Sequence, residues 1–280
     1  MKYAYFTNTF NALTHVLSKR ILTLLVLILI MSGCGHRVPV TNRKQMNLIS
    51  ETELIKMADQ QYREFLASAK IVPMTDPRAQ MVDRVAKKIQ GAVETYLKKK
   101  DKLYRIENFK WEVHTVDDPT VNAWCMPGGL IVVYTGILGL VENEDELAVV
   151  MGHEISHAIA RHGNERMSQG MIAQGIGGTF GVLMGSSPTV GQQLFMQAYG
   201  IGSALGILSY SRKHETEADK IGLVFGKMAG YDPNKAISFW TKMSKQGGAG
   251  APEILSTHPS DETRIKNLQE FIPEIDSYIN

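Results

Sequence analysis

Five consecutive residues, His153-Glu154-Ile155-Ser156-His157, constrain this chain more than any other feature. They lie in a segment that reads as one long helix from Asp145-Glu146 to about Met167, and residues four apart on a helix share a face. Two imidazoles can therefore reach one ion, with Glu154 beside them. Such a donor pair asks for zinc, which in a catalytic site takes three protein ligands and keeps one position open for water. Water held there has its pKa lowered to about 7 and becomes a nucleophile. Glu154 would take its proton and pass it on, acting first as general base and then as acid. The fold must bring a third ligand to this helix from elsewhere in the chain.

The third ligand is narrowed by what is missing. A metzincin needs glycine and histidine three and six residues after His157, where Ala160 and Gly163 stand, so that class is excluded. Between residues 158 and 214 the only acid is Glu165, too near the same helix to fold back onto the ion. Glu215 and Asp219 then follow, four apart in a helical segment, and would present a carboxylate ligand with an aspartate behind it. Asp219 would accept the free ring N–H of a ligating histidine and fix its tautomer. The alternative is a solvated face in which Glu215, Glu217 and Asp219 are balanced by Arg212, Lys213 and Lys220. His162, five residues after His157, falls off the ligand face of a continuous helix and is read as non-catalytic.

Around this motif the chain reads as one mid-sized globular unit, with 44% hydrophobic and 21% charged residues in 280. Its 30 basic residues barely exceed its 28 acids, and Lys2, Lys19 and Arg20 fall in residues 1–33. No clustered positive charge remains to grip phosphates, so nucleic acid is not an expected partner. Lys19-Arg20, the uncharged run Ile21 to Met31 and Ser32-Gly33-Cys34 read as a lipoprotein signal peptide over residues 1–33, with Cys34 lipidated. Residues 34–50 would form a tether and residues 51–280 a single domain. Cys125 is left without a disulfide partner and reads as a small packed side chain.

Periodicity predicts a helix over residues 51–69 and a second one begun by Asp76-Pro77, with Met81, Val85, Ile89, Val93 and Leu97 as its buried stripe. Strands are expected at 109–116 and from Leu130 to Thr135, the latter entered through the turn Pro127-Gly128-Gly129. From Met167 to Ser211 no residue is charged. A membrane-inserted hairpin is one reading of that stretch. Two soluble helices are the favoured one, because Gln174, Ser186, Ser187, Gln192, Gln193 and Gln197 interrupt every apolar run.

HEISH, SRKHETEAD and THPSDETR, in that order, resemble the motifs of the HtpX-like and BepA/LoiP-like zinc endopeptidases, the family that also holds the CAAX prenyl proteases. The resemblance runs from about Arg43-Lys44-Gln45 to about Ile272. It implies an α+β fold, a predominantly helical zincin of gluzincin type with a small sheet whose edge strand binds substrate. It implies one zinc per chain held by His153, His157 and Glu215, with Glu154 as catalytic base. Asn122, Ala123, Gly128 and Gly129 would contact extended substrate backbone, or form an ordinary turn between strands. His258 and Arg264 would stabilise the oxyanion. The alternatives are that His258 fills the open zinc position at rest or is a plain turn histidine.

The implied role is quality control, with unfolded or misassembled envelope proteins as substrates and Cys34 as a lipid anchor. The implied location is a bacterial envelope, facing the periplasm, at the outer membrane. A chaperone-like assembly factor that binds unfolded chains and seldom cuts them is the alternative, although a pure binder has no need of Glu154.

Overall fold

The computed structural model describes residues 35–175, 188–199, 210–245, 254–255, 258 and 262–280. Residues 1–34, including the expected signal peptide and Cys34, lie outside the described residues. The chain enters through an antiparallel hairpin, β1 (Gly35–Arg37) and β2 (Lys44–Met46). Helix α1 (Glu51–Ser68) begins at Ser50, whose hydroxyl accepts the Glu53 N–H, and buries Leu54, Ala58 and Tyr62. Helix α2 (Pro77–Lys99) starts as its sequence predicts, with the Asp76 carboxylate accepting the Arg78 N–H and Pro77 in the first turn. Val85, Ile89, Val93 and Leu97 of its stripe are buried.

Three strands follow: β3 (Glu112–Val116), β4 (Ala123–Met126) and β5 (Leu130–Tyr134), in the order β3-β5-β4. β3 runs parallel to β5, with Glu112 opposite Leu130, and β4 runs antiparallel to it, with Ala123 opposite Val133. Every residue of β5 is buried because the central strand is covered on both faces. Leu130, Val132 and Tyr134 belong to one core with Leu54 and Tyr62 of α1, whereas Ile131 and Val133 belong to the other core, which includes Val85 and Ile89 of α2. This alternation is the period-two geometry of a strand. The remaining helices of ten or more residues are α3 (Glu144–Ile159), α4 (His162–Ala173), α5 (Pro188–Tyr199), α6 (Arg212–Met228), α7 (Lys235–Ser244) and α8 (Glu262–Phe271), with short turns of helix at Thr135–Leu138 and Ile275–Ile279. The expected α+β, mainly helical architecture with one small sheet is what the chain adopts.

Three local expectations are corrected. Residues 35–50 are not a tether: Val38, Gln45 and Ile49 are buried, and the Gln45 side chain donates to the Ala160 carbonyl at 2.7 Å. Their polar character reflects buried partners rather than solvent. The long helix expected to reach Met167 is broken, because Arg161 adopts a left-handed conformation (φ 58°) between α3 and α4. The strand expected from residue 109 starts at Glu112, because Trp111 takes a positive φ of 41°.

In the charge-free stretch, α5 packs Leu194, Phe195 and Ala198 inward beside Met167 and Met171 of α4. Residues 176–187 and 200–209 of that stretch lie outside the described residues. Among the described residues, no helix is long and apolar enough to cross a membrane.

Candidate metal centre and active site

The site is built where α3 crosses α6, glycine on glycine. A Cβ added to Gly222 would lie 2.8 Å from the Gly152 carbonyl carbon and 2.9 Å from the His153 nitrogen, so only bare backbone permits this approach. Asp219 sits one turn before Gly222 and Glu215 one turn further back, and both carboxylates therefore face His153.

His153 Nε2 and His157 Nε2 lie 3.0 Å apart. The Glu215 carboxylate is 3.3 Å from the first and 3.5 Å from the second. A fourth donor joins them: His258 Nδ1 is 3.1 Å from His153 Nε2 and 3.0 Å from Glu215 Oε1. All four side chains are buried. Zinc bonds of about 2.0–2.1 Å in a tetrahedron place donors roughly 3.3 Å apart, so the spacing of these four fits that ion. Burial opposes a charge on His153, yet Glu215 and Asp219 outweigh it and push its pKa up to about 9, whereas burial and the neighbouring His153 hold His157 well below the usual histidine range.

The remaining predicted residues take distinct places. Asp219 lies 2.8 Å from His153 Nδ1, as expected of a group that fixes the tautomer. Arg264 stands behind Asp219, donating to both of its oxygens at 2.7 and 2.9 Å, with its guanidinium 3.4 Å from the centre of the Trp240 ring. Its charge is thereby engaged with Asp219 and with Glu215 at 3.4 Å. Glu154 projects into the same pocket, with Oε1 3.6 Å from His258 Nε2, and burial pushes its pKa up. Burial likewise pushes the Cys125 thiol up and keeps it protonated.

Asn122 lies immediately before β4, its side-chain oxygen accepting the Ala123 N–H and its carbonyl the Tyr134 N–H. Gly128 and Gly129 form the turn at the other end of β4, with positive φ of 91° and 77°. Their carbonyls accept the N–H groups of Lys110 and Glu112, and their neighbours are the side chains of Ile55, Phe109 and Trp111.

Sequence reasoning missed two neighbours of His157. The Tyr210 ring lies over its imidazole at 4.0 Å, and His162 Nδ1 reaches its Nδ1 at 3.0 Å. His162 was placed off the ligand face by treating residues 145–167 as one helix. The left-handed turn at Arg161 reverses that argument, and nothing but the spacing of the histidines hinted at it.

A helical α+β body that closes two histidines, a glutamate and a buried acid around one cation-sized space defines a zinc metallopeptidase. Comparison with known proteins agrees: residues 83–272 match Peptidase family M48, and the chain belongs to that family. It is 35% identical to the mitochondrial metalloendopeptidase OMA1 of Schizosaccharomyces pombe over 243 residues, 85% of this chain and 66% of that protein. It is 41% identical to the Arabidopsis thaliana protein of the same name over 167 residues, 59% of this chain and 32% of that one. It is 31% identical to the β-barrel assembly-enhancing protease of Escherichia coli over 160 residues, 55% of this chain and 33% of that one. The matches thus span from one third to just under two thirds of these relatives' length.

The expected zinc cofactor is the one this family uses, and the donor cluster suits it. The expected location is overturned. The relatives that match over most of this chain are named as mitochondrial enzymes, which corrects the lipid-anchored, periplasm-facing bacterial envelope inferred from the N-terminus.

Proposed function

We propose that this protein is a zinc-dependent endopeptidase that cleaves misfolded or misassembled proteins and rests in a latent state closed by His258. The observation that carries the reading is the four-donor cluster with Glu154 beside it. Bound zinc would supply Lewis acidity, activating water and polarising the scissile carbonyl. His153, His157 and Glu215 would hold it. Glu154 takes the proton from the attacking water and returns it to the leaving amine. Its raised pKa suits both halves of that exchange.

Among the described residues β4 pairs only with β5, so its outer edge is open to an extended peptide. Recognition through backbone hydrogen bonds favours unfolded chains over folded ones. The name of the E. coli relative supports a role in protein assembly or its surveillance.

Latency follows from coordination. A catalytic zinc site keeps one position open, and His258, grouped with His153, His157 and Glu215, would fill it. His258 is held by its N–H to the Ile254 carbonyl at 2.8 Å, and Ile254 donates to the Val121 carbonyl at 3.2 Å, just before β4. A peptide added along β4 would compete for that anchor and draw His258 away.

The test is zinc content and cleavage of unfolded casein by the wild type, Glu154→Gln, Glu215→Ala and His258→Ala. One zinc per chain in the wild type, zinc without cleavage in Glu154→Gln, and loss of metal in Glu215→Ala support the reading. If His258→Ala holds zinc and still cuts nothing, the protease reading fails and a chaperone-like binder takes its place.

A further inference from the structure

Behind His157 lies a second buried polar chain that the peptidase chemistry does not use. His157 Nδ1 faces His162 Nδ1 at 3.0 Å, and His162 Nε2 faces Glu217 Oε2 at 3.0 Å. Glu217 also accepts from Arg43 Nε at 2.7 Å and from the Thr41 hydroxyl. Arg43 forks onto both oxygens of Glu165 at 2.7 and 2.8 Å, and Glu165 lies 3.1 Å from His214 Nε2. His162 is fully buried, and Glu217 nearly so.

The proton pattern along this chain has one consistent solution. If His157 binds zinc through Nε2, its proton resides on Nδ1 and must be donated. His162 Nδ1 is the acceptor, which leaves the proton of His162 on Nε2. That proton is donated to Glu217, whose remaining lone pairs are filled by Thr41 and Arg43. The arrangement repeats, with one histidine interposed, what Asp219 and Arg264 do for His153: a carboxylate orients the ligand and an arginine neutralises the carboxylate. The left-handed turn at Arg161 is what delivers His162 to this position. A strained non-glycine residue at such a corner persists where the surroundings impose it.

We propose that His162, Glu217 and Arg43 form a positioning relay that holds His157 in its metal-binding tautomer and orientation, so that the N-terminal hairpin is part of the metal site. This rests on the zinc-site reading. It assigns a role to Arg43, at the β1–β2 connection, that a tether would not have. Partners behind metal ligands are worth about 10- to 100-fold in metal affinity.

The experiment measures zinc affinity of the full chain by chelator competition, the visible spectrum of the cobalt-loaded protein, and thermal melting of the metal-free form. The variants are His162→Ala, Glu217→Gln, their double mutant and Arg43→Ala. The relay predicts zinc affinity about 10- to 100-fold weaker in His162→Ala and Glu217→Gln, with altered cobalt bands. Arg43→Ala should lose less, and the double mutant should lose no more than His162→Ala alone, because both residues act through one path.

Wild-type zinc affinity and cobalt bands in Glu217→Gln, whatever its melting temperature, would overturn the relay. Additive losses in the double mutant would do the same. Should His162→Ala fail to fold, Glu217→Gln, which keeps the shape of the side chain, decides alone. A wild type that takes up no zinc would instead overturn the metal site itself.

Discussion

Replacing Gly222 with alanine should damage the metal site without touching a ligand. The added methyl would sit 2.8 Å from the Gly152 carbonyl carbon and 2.9 Å from the His153 nitrogen, both of them backbone. Ordinary contact begins near 3.4 Å, so α3 and α6 must part by about 0.6 Å. Overpacking of this kind costs about 1–3 kcal/mol, and the better helix propensity of alanine returns roughly 1 kcal/mol. The metal-free protein should then lose at most about 2 kcal/mol and melt no more than a few degrees lower.

The metal responds more sharply, since zinc tolerates errors of only about 0.2 Å in its ligand distances. Glu215 and Asp219 ride on α6, while His153 and His157 ride on α3. We expect zinc affinity to fall by about tenfold or more. Gly152→Ala is the internal control: its methyl would meet the Gly222 oxygen at 3.0 Å and the Gly222 Cα at 3.4 Å, a milder conflict. Calorimetry of both variants with and without zinc, together with chelator competition, reads the two effects separately. Equal zinc affinity in Gly222→Ala and the wild type would refute the claim that this crossing sets the ligand geometry.

Four further outcomes follow from the same structure. His258→Ala should cleave unfolded casein faster than the wild type while retaining zinc through the other three donors, and an unchanged rate would count against latency. Gly129→Ala combines a φ of 77° with a methyl 2.7 Å from the Trp111 ring, so its urea midpoint should fall by the equivalent of about 2–4 kcal/mol. Gly175→Ala, with a φ of 67° and no described residue within 4 Å of the added methyl, should lose only the conformational part, about 1–2 kcal/mol. Burial would raise the pKa of Glu165, but hydrogen bonds from His214 and Arg43 outweigh it and hold the carboxyl well below the usual range. A depressed folded pKa adds stability that is present above the unfolded value of about 4.5 and disappears as pH falls below it. Acid titration of the metal-free protein should therefore show a shallower loss below that pH in Glu165→Gln than in the wild type.

What was legible in the sequence was what depends on short spacings. His153 with His157, and Glu215 with Asp219, are single helical turns, and a helix fixes such pairs whatever surrounds them. The β-branched and aromatic residues of β5 announce a strand, and Asp76-Pro77 announces a helix start. Contacts closed by the tertiary fold were not legible. Arg161 has neither the missing side chain of glycine nor the local hydrogen bonding of asparagine that usually marks a left-handed turn, so the break that brings His162 to His157 had no local sign.

Residues 34–50 read as a tether because their partners lie far away, Arg43 meeting Glu165 across 122 positions and Glu217 across 174. Arg264 reaches His153 across 111 positions from the other direction. His153 directly and His157 through His162 thus each have a carboxylate and an arginine behind them, and the two arginines come from opposite ends of the described chain. The donors can be correctly oriented only when both ends are docked. Loosening either end should therefore cost metal affinity before it costs the central sheet.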